Sequence, residues 1–488
     1  MTFGMWLATF AYAALATALG HGALRLLRLH RAPLLGEWSA CFLVGQMVLH
    51  AATLTTLLLP WSLRGMSPVL AAGGAAATLA FAREHWRART LPRVLPAALL
   101  FAAAMLLFPN LLLSVHTTPT VEWDARSIWI LHGKALHVHG GVDSAFFGNP
   151  RFWWSNLDYP LLLPAQAAWT AVIQGRWDEI GCKAFLWFQF AAWFHLAVTL
   201  LTRRWMPWFT AVPAVALAMV QGPPVLTAGF GYVSGLADQH YATPLVLALL
   251  ALLAGEGRAL WPFAIAMLTY AACTKNEATA YTAALGAAVA AAWVLRHRRA
   301  LRMAARDLAV LRAPAVLAFA LGVLPMVCWR LYSRAQPIPG GLNLDRQVTM
   351  LPELLAARAP TVLRFFFERH LLAGAHWLLL AWVLLAAAGA LRRRRPGLGR
   401  ADALLLAALL AVHALIAVTF VLTPHDYVMH MQMALGRLLA LPQLLLCALC
   451  ALRLRHLLQA DARPHAPRPG TLSTAAAAGS AGAAGLDR

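Results

Sequence analysis

The side chains able to do chemistry gather in a few short breaks between long apolar stretches. The longest break, Val121 to Pro164, carries Glu122, Asp124, Asp143 and Asp158 among Trp123, Trp129, Trp153 and Trp154. A carboxylate held against aromatic surfaces can act as a general base, and Asp124 is placed to take a proton from an acceptor nucleophile. The plainer reading of the same residue is the N-cap of a short helix, Ala125 to Leu136, lying along a membrane surface with Trp123 and Trp129 as interfacial anchors. Asp158 stands just before Tyr159-Pro160. Glu122 lies two residues from Asp124, and the two could hold a divalent ion together with a substrate phosphate.

Three further breaks carry charge. Gly229 to Asp238 is a glycine-rich turn ending in an acid at the mouth of a helix, where Asp238 serves either as a cap or as a site residue. Lys275 and Glu277 interrupt two apolar helices, and either pair within the turn or leave Lys275 to meet a phosphate. In TPHDYVMHMQMALGRLLALP, which also holds His425, extending the last apolar helix backwards puts Asp426, His430 and Arg437 on one stripe. An arginine just inside an apolar helix needs an anionic partner. Asp426 is one candidate and a lipid phosphate another.

The elements that must position these residues follow from composition. With 61% hydrophobic and 12% charged residues among 488, the chain has more apolar surface than a soluble core can hide, and it reads as an all-α polytopic integral membrane protein. The net charge of +21 sits mostly in short runs between apolar segments, which are orientation signals, so nucleic acid is not expected as a partner. The six cysteines lie in or beside apolar stretches and read as buried thiols, the CxxC at Cys447 and Cys450 included. The first stretch, from Phe3, reads as a retained span because no basic leader or cleavage site marks it.

Apolar stretches of helical length fall near 3–24, 37–60, 66–82, 91–113, 160–202, 206–221, 240–255, 259–274, 278–296, 313–335, 370–391, 402–423 and 434–452. They predict about thirteen membrane spans, with either 160–175 or 180–202 interfacial or re-entrant. Four basic loops (Arg25 to Arg31, Arg83 to Arg93, Arg296 to Arg312, Arg392 to Arg395) are predicted to be cytoplasmic. The polar stretches 114–160, 222–239, Thr274 to Glu277, 336–369 and Thr423 to Arg437 then share the opposite, outer face. The chain divides into N-terminal spans (1–113), an acidic outer loop with interfacial helices (114–160), a transmembrane core (161–452) and a Pro-, Ala- and Gly-rich tail (453–488) predicted to be disordered.

Taken together, Trp123-Asp124-Ala125, Asp158-Tyr159-Pro160, the stretch ending at Asp238, Lys275-Asn276-Glu277 and the His430 to Arg437 pattern before Pro442 resemble the GT-C superfamily of membrane glycosyltransferases. That superfamily includes protein O-mannosyltransferases and the enzymes that decorate lipid A with aminoarabinose. The resemblance covers roughly 120 to 445 and is closest to bacterial members. It implies inverting transfer of a sugar from a polyprenyl-phosphate carrier to a glycan, lipid or protein acceptor at the periplasmic face of the bacterial inner membrane. By similarity Asp124 is the loop carboxylate that serves as base, with Asp158 and Glu122 as further acids.

Arg437, His430 and Lys275, with Asp238, Glu277 and Asp426 around them, are the candidates to hold the carrier phosphate among membrane lipid. Two departures from the family pattern stand out: three spans precede the acidic loop rather than one, and Glu122-x-Asp124 replaces adjacent acids. A divalent cation (Mg or Mn) at Glu122 and Asp124, or none, both remain open. The alternative reading is a transporter or flippase, which predicts internal repeats that the sequence does not display.

Overall fold

Where water is scarce, a chain must satisfy its amides within itself, and the long apolar runs do so as helices. The computed structural model describes residues 3–88, 108–117, 119–120, 122–220, 232, 234–253, 259–297, 311–336, 349–368, 376–391, 400–423 and 426–461. Among these, every regular element is helical. The order is α1 (Phe3–Leu26), α2 (Trp38–Thr55), α3 (Leu63–Ala88), α4 (Pro109–Thr117), a π-helical turn (Ala125–Ile130), α5 (Leu131–His139), α6 (Leu162–Gln174), α7 (Phe185–Arg204) and α8 (Trp208–Val220). It continues with α9 (Asp238–Leu253), α10 (Trp261–Ala272), α11 (Asn276–His297), α12 (Arg312–Ala335), α13 (Leu351–Phe366), α14 (His376–Leu391), α15 (Arg400–Val421), α16 (Tyr427–Leu438) and α17 (Ala440–Asp461).

Among the described residues, 7 helical runs are long and apolar enough to cross a membrane: Phe3–Leu26, Trp38–Thr55, Leu63–Arg83, Gly181–Arg203, Arg312–Ala335, Ala401–Val421 and Tyr427–Arg455. The chain is an integral membrane protein. Most of the stretch 91–113, the glycines Gly229 to Gly231, residues 298–310 and 337–348, the run Arg392 to Arg395 and His425 lie outside the described residues.

The long apolar run 160–202 resolves into two unequal parts. α6 has 13 residues and so rises only about 20 Å, short of the roughly 30 Å hydrocarbon core. It stops at Gly175, whose φ of +77° is left-handed, and Asp178 Oδ1 then accepts from the amides of Ile180 (3.0 Å) and Gly181 (2.7 Å) to turn the chain into α7. Of the two halves, only Gly181–Arg203 has the length of a span.

A polar network holds the short α6 in place. Tyr12 donates to Gln166 Oε1 (2.7 Å), Gln46 Nε2 to Tyr12 (3.2 Å), Tyr270 to Gln46 Oε1 (2.7 Å) and Gln189 to Tyr270 (2.7 Å), all fully buried. The Gln46 amide thus joins α1, α2, α6, α7 and α10. Gln46→Leu leaves the Tyr270 hydroxyl without its acceptor and is expected to cost about 1–2 kcal/mol. The check is thermal unfolding in detergent, where a wild-type melting curve for the variant would show the network to be idle.

α1 and α2 approach each other through glycine. A Cβ at Gly45 would run into the Ala16 carbonyl, and one at Gly20 into that of Cys41, so the small residues let the backbones touch. α9 is buried on every side from Asp238 to Ala251, the mark of a central helix.

Two expectations need correction. The helix after Asp124 is a π turn followed by α5, and it runs past Leu136 to His139. The tail does not begin at Arg453, because α17 continues to Asp461. Arg453 Nε there pairs with the fully buried Asp402 at 3.1 Å and its guanidinium lies over Trp382, which gives the extra turns a reason to stay helical. Residues 462–488 lie outside the described residues.

Candidate functional site

Asp124 does not cap its helix. Its backbone is already helical (φ −62°, ψ −39°) and its side chain makes no capping hydrogen bond. The carboxylate accepts instead from the Arg437 guanidinium of α16, which stands 313 residues further along the chain. The π turn that Asp124 opens displaces the residues after it by a fraction of a turn, a distortion that recurs at functional sites.

Gly235 brings the second acid in. It adopts φ +90°, and a Cβ there would sit 3.2 Å from that of Ala125. The turn leading into α9 therefore passes against the π turn that carries Asp124. Asp238, almost fully buried, then begins α9 and its Oδ1 accepts from Lys275 Nζ at 2.9 Å. Lys275 Nζ also lies 3.5 Å from Glu277 Oε1, so the ion pair expected within that turn is present alongside the longer-range one. Asp238 and Asp124 both stand close enough to act on the charge of Arg437.

The third acid is held from α11 and α12. Asn276 Nδ2 donates to Asp158 Oδ2 at 3.0 Å, and Arg330 approaches the same oxygen at 3.5 Å while its other terminal nitrogen bonds the Asn276 amide oxygen. Trp329 Nε1 donates to the Asp158 carbonyl at 3.1 Å. Between these groups sits Tyr159, its ring stacked on Trp129 with centroids 5.4 Å apart. Its hydroxyl is held well above the ordinary tyrosine range, first by burial and then by the negative field of Glu277, Asp158, Asp124 and Asp238. One residue thus feels four carboxylates drawn from three separate stretches of sequence.

Other expected residues fall elsewhere. Asp426 is the N-cap of α16, accepting from the Met429 amide at 2.8 Å, and is not the partner of Arg437. His430 faces Thr423 Oγ1 at 2.9 Å and the Phe420 ring. Arg358 of α13 donates to the Val421 and Thr423 carbonyls (3.0 and 2.9 Å), tying down the C-terminal end of α15. Asp143 caps the short helix Ser144–Phe147 and pairs with His139. Trp129 is buried against Tyr159 and is no interfacial anchor, whereas Trp123 is 48% exposed. Glu122 is half-buried and its carbonyl accepts from the Arg126 amide.

Reading the sequence missed Arg330, which sits near the end of an apolar helix. The argument that singled out Arg437, an arginine among apolar neighbours, applies to it equally.

The loop is fastened by a buried histidine. Ser155 donates to the Ser127 carbonyl at 2.6 Å, so His132 Nε2, 3.0 Å from the same hydroxyl, must be the donor to it. Burial pulls the His132 pKa down from 6.5 to about 3. The native state prefers the neutral ring, so this contribution to stability is whole above pH 6.5 and lost as pH falls from there towards 3. His132→Asn should flatten that part of the stability curve, read as melting temperature against pH. An unchanged acid slope would assign the loss to other groups.

Among the described residues no three His, Cys, Asp or Glu side chains stand together as a metal-ion site. Asp124, Asp158 and Asp238 each face a cation of the protein. Arg437 and Lys275 are thus cations already paired with carboxylates of the fold, and an anion that binds them must share or displace those pairs. Comparison with known protein families, with curated proteins and with solved structures finds no match.

Proposed function

We propose that the chain is a membrane glycosyltransferase of GT-C type, moving a sugar from a polyprenyl-phosphate carrier to a glycan, lipid or protein acceptor. The observation that carries this reading is the Asp124–Arg437 pair beside Asp238–Lys275. A carboxylate to serve as base and two cations to hold the phosphate stand together, Asp238 and Lys275 almost fully buried and Asp124 and Arg437 mostly so, where charge stabilisation is strong. A carrier phosphate that draws Arg437 towards itself releases the Asp124 carboxylate. Asp124 then takes the acceptor proton as the acceptor oxygen bonds to the anomeric carbon and the carbon–phosphate oxygen bond breaks, with inversion. Arg437 and Lys275 stabilise the departing phosphate, and Arg330 holds Asp158 as a second acid.

The architecture we propose has about thirteen spans and places the loop from Val121 to Pro160 in the periplasm of the bacterial inner membrane. Ser144→Cys is then expected to react with an impermeant thiol reagent in cells with a permeable outer membrane, and Gly397→Cys is not. The opposite pattern overturns the sidedness. The function is tested by incubating purified protein with a panel of polyprenyl-phosphate sugars and following release of polyprenyl phosphate. Turnover supports the reading, while movement of intact lipid across a vesicle membrane with no release would make the chain a flippase.

A further inference from the structure

Two buried polar atoms beside the site have no hydrogen-bond partner among the described residues: the Tyr241 hydroxyl and Glu277 Oε2. Both belong to facing helices. Tyr241 follows Asp238 by one turn of α9, and Tyr281 follows Glu277 by one turn of α11. The two tyrosine rings stack with centroids 6.0 Å apart, and Lys275 Nζ lies 6.0 Å from the centre of the Tyr241 ring. Tyr241 is fully buried. A buried hydroxyl and a buried carboxylate oxygen left unpaired each cost on the order of 1–3 kcal/mol, a cost a protein keeps where something else completes the bonds.

The charges say what that is. A phosphate seeks Arg437 and Lys275, and Glu277 repels it. Glu277 Oε2 accepts, and the Tyr241 hydroxyl both donates and accepts. The group that suits both is a neutral hydroxyl, donating to Glu277 and accepting from Tyr241.

We infer that Tyr241 and Glu277 bind a hydroxyl of the transferred sugar, forming a sugar-recognition wall next to the phosphate cations. This rests on the transferase reading and removes Glu277 from the phosphate-binding set. The test measures binding of decaprenyl phosphate and of decaprenyl phosphate carrying a hexose, an N-acetylhexosamine or a pentose to the purified full-length protein. Wild type should bind at least one glycosylated lipid about tenfold or more tighter than the bare phosphate. Tyr241→Phe should lose most of that preference while holding the bare phosphate within about twofold of wild type, and Glu277→Gln should lose it while binding the bare phosphate at least as tightly as wild type, since the charge it removes repels phosphate. Tyr241→Phe should also melt no lower than wild type, because the hydroxyl it removes has no partner among the described residues.

Equal loss for bare and glycosylated lipids, or a preference that survives both substitutions, overturns the inference. Wild type that binds the bare phosphate without preferring any sugar overturns it too, and leaves the transferase reading standing. Wild type that binds none of the lipids overturns both.

Discussion

Asp124→Asn is expected to lower turnover of a polyprenyl-phosphate sugar by about a hundredfold or more. Asparagine keeps the shape and can still accept from Arg437, so the fold and carrier binding should stay near normal. It cannot take a proton. The capping explanation that would have made this substitution silent has lost its basis, since the Asp124 side chain makes no cap and turns to Arg437 instead. Asp158→Asn serves as the companion, because Asp158 is held by Asn276 and Arg330 on the other side of Tyr159. Loss in Asp158→Asn alone would move the base to the second acid, and full activity in both would remove the proposed mechanism.

The second large effect concerns stability. Asp238 and Lys275 form an almost fully buried ion pair at 2.9 Å. Removing Asp238 leaves Lys275 in a low-dielectric interior with only the longer contact to Glu277 at 3.5 Å, a loss of up to about 3–5 kcal/mol. Asp238→Ala should therefore lower the melting temperature sharply or abolish recovery of folded protein. Asp238→Leu combined with Lys275→Met should recover much of the loss, since neither charge is then buried alone, though Glu277 would miss its neighbour at 3.5 Å. The combined variant should fold yet fail to bind polyprenyl phosphate. Binding at wild-type affinity would show that Lys275 serves only the fold. If the combined variant were as unstable as Asp238→Ala, the cost would lie in packing rather than in the stranded charge.

Much of this site was legible because membrane-spanning helices make charge conspicuous. Asp124, Asp238, Lys275 and Arg437 stand out against apolar neighbours, and each proved to be part of one cluster. Their pairing was not legible. Helical spacing offered Asp426 to Arg437 because only local geometry can be read from periodicity, whereas the true partner is 313 residues away in another element. Arg330 was hidden by the apolar helix around it, and the roles of Tyr159 and Tyr241 depend on neighbours no spacing rule supplies.

The fold shows the same division. The existence and type of the helices follow from the apolar pattern, while the run 160–202 conceals a break that depends on one left-handed glycine and the side chain of Asp178. Trp129 shows the limit for aromatic residues, since a tryptophan in an acidic loop reads equally as a surface anchor or as the buried plate on which Tyr159 stacks.

The central claim is that Arg437 leaves Asp124 to hold a carrier phosphate. A structure of the protein in lipid nanodiscs saturated with decaprenyl phosphate tests it most directly. The account predicts phosphate density within hydrogen-bonding distance of both Arg437 and Lys275, with the Asp124 carboxylate released from the guanidinium. Phosphate bound elsewhere, with Arg437 still paired to Asp124, would contradict it.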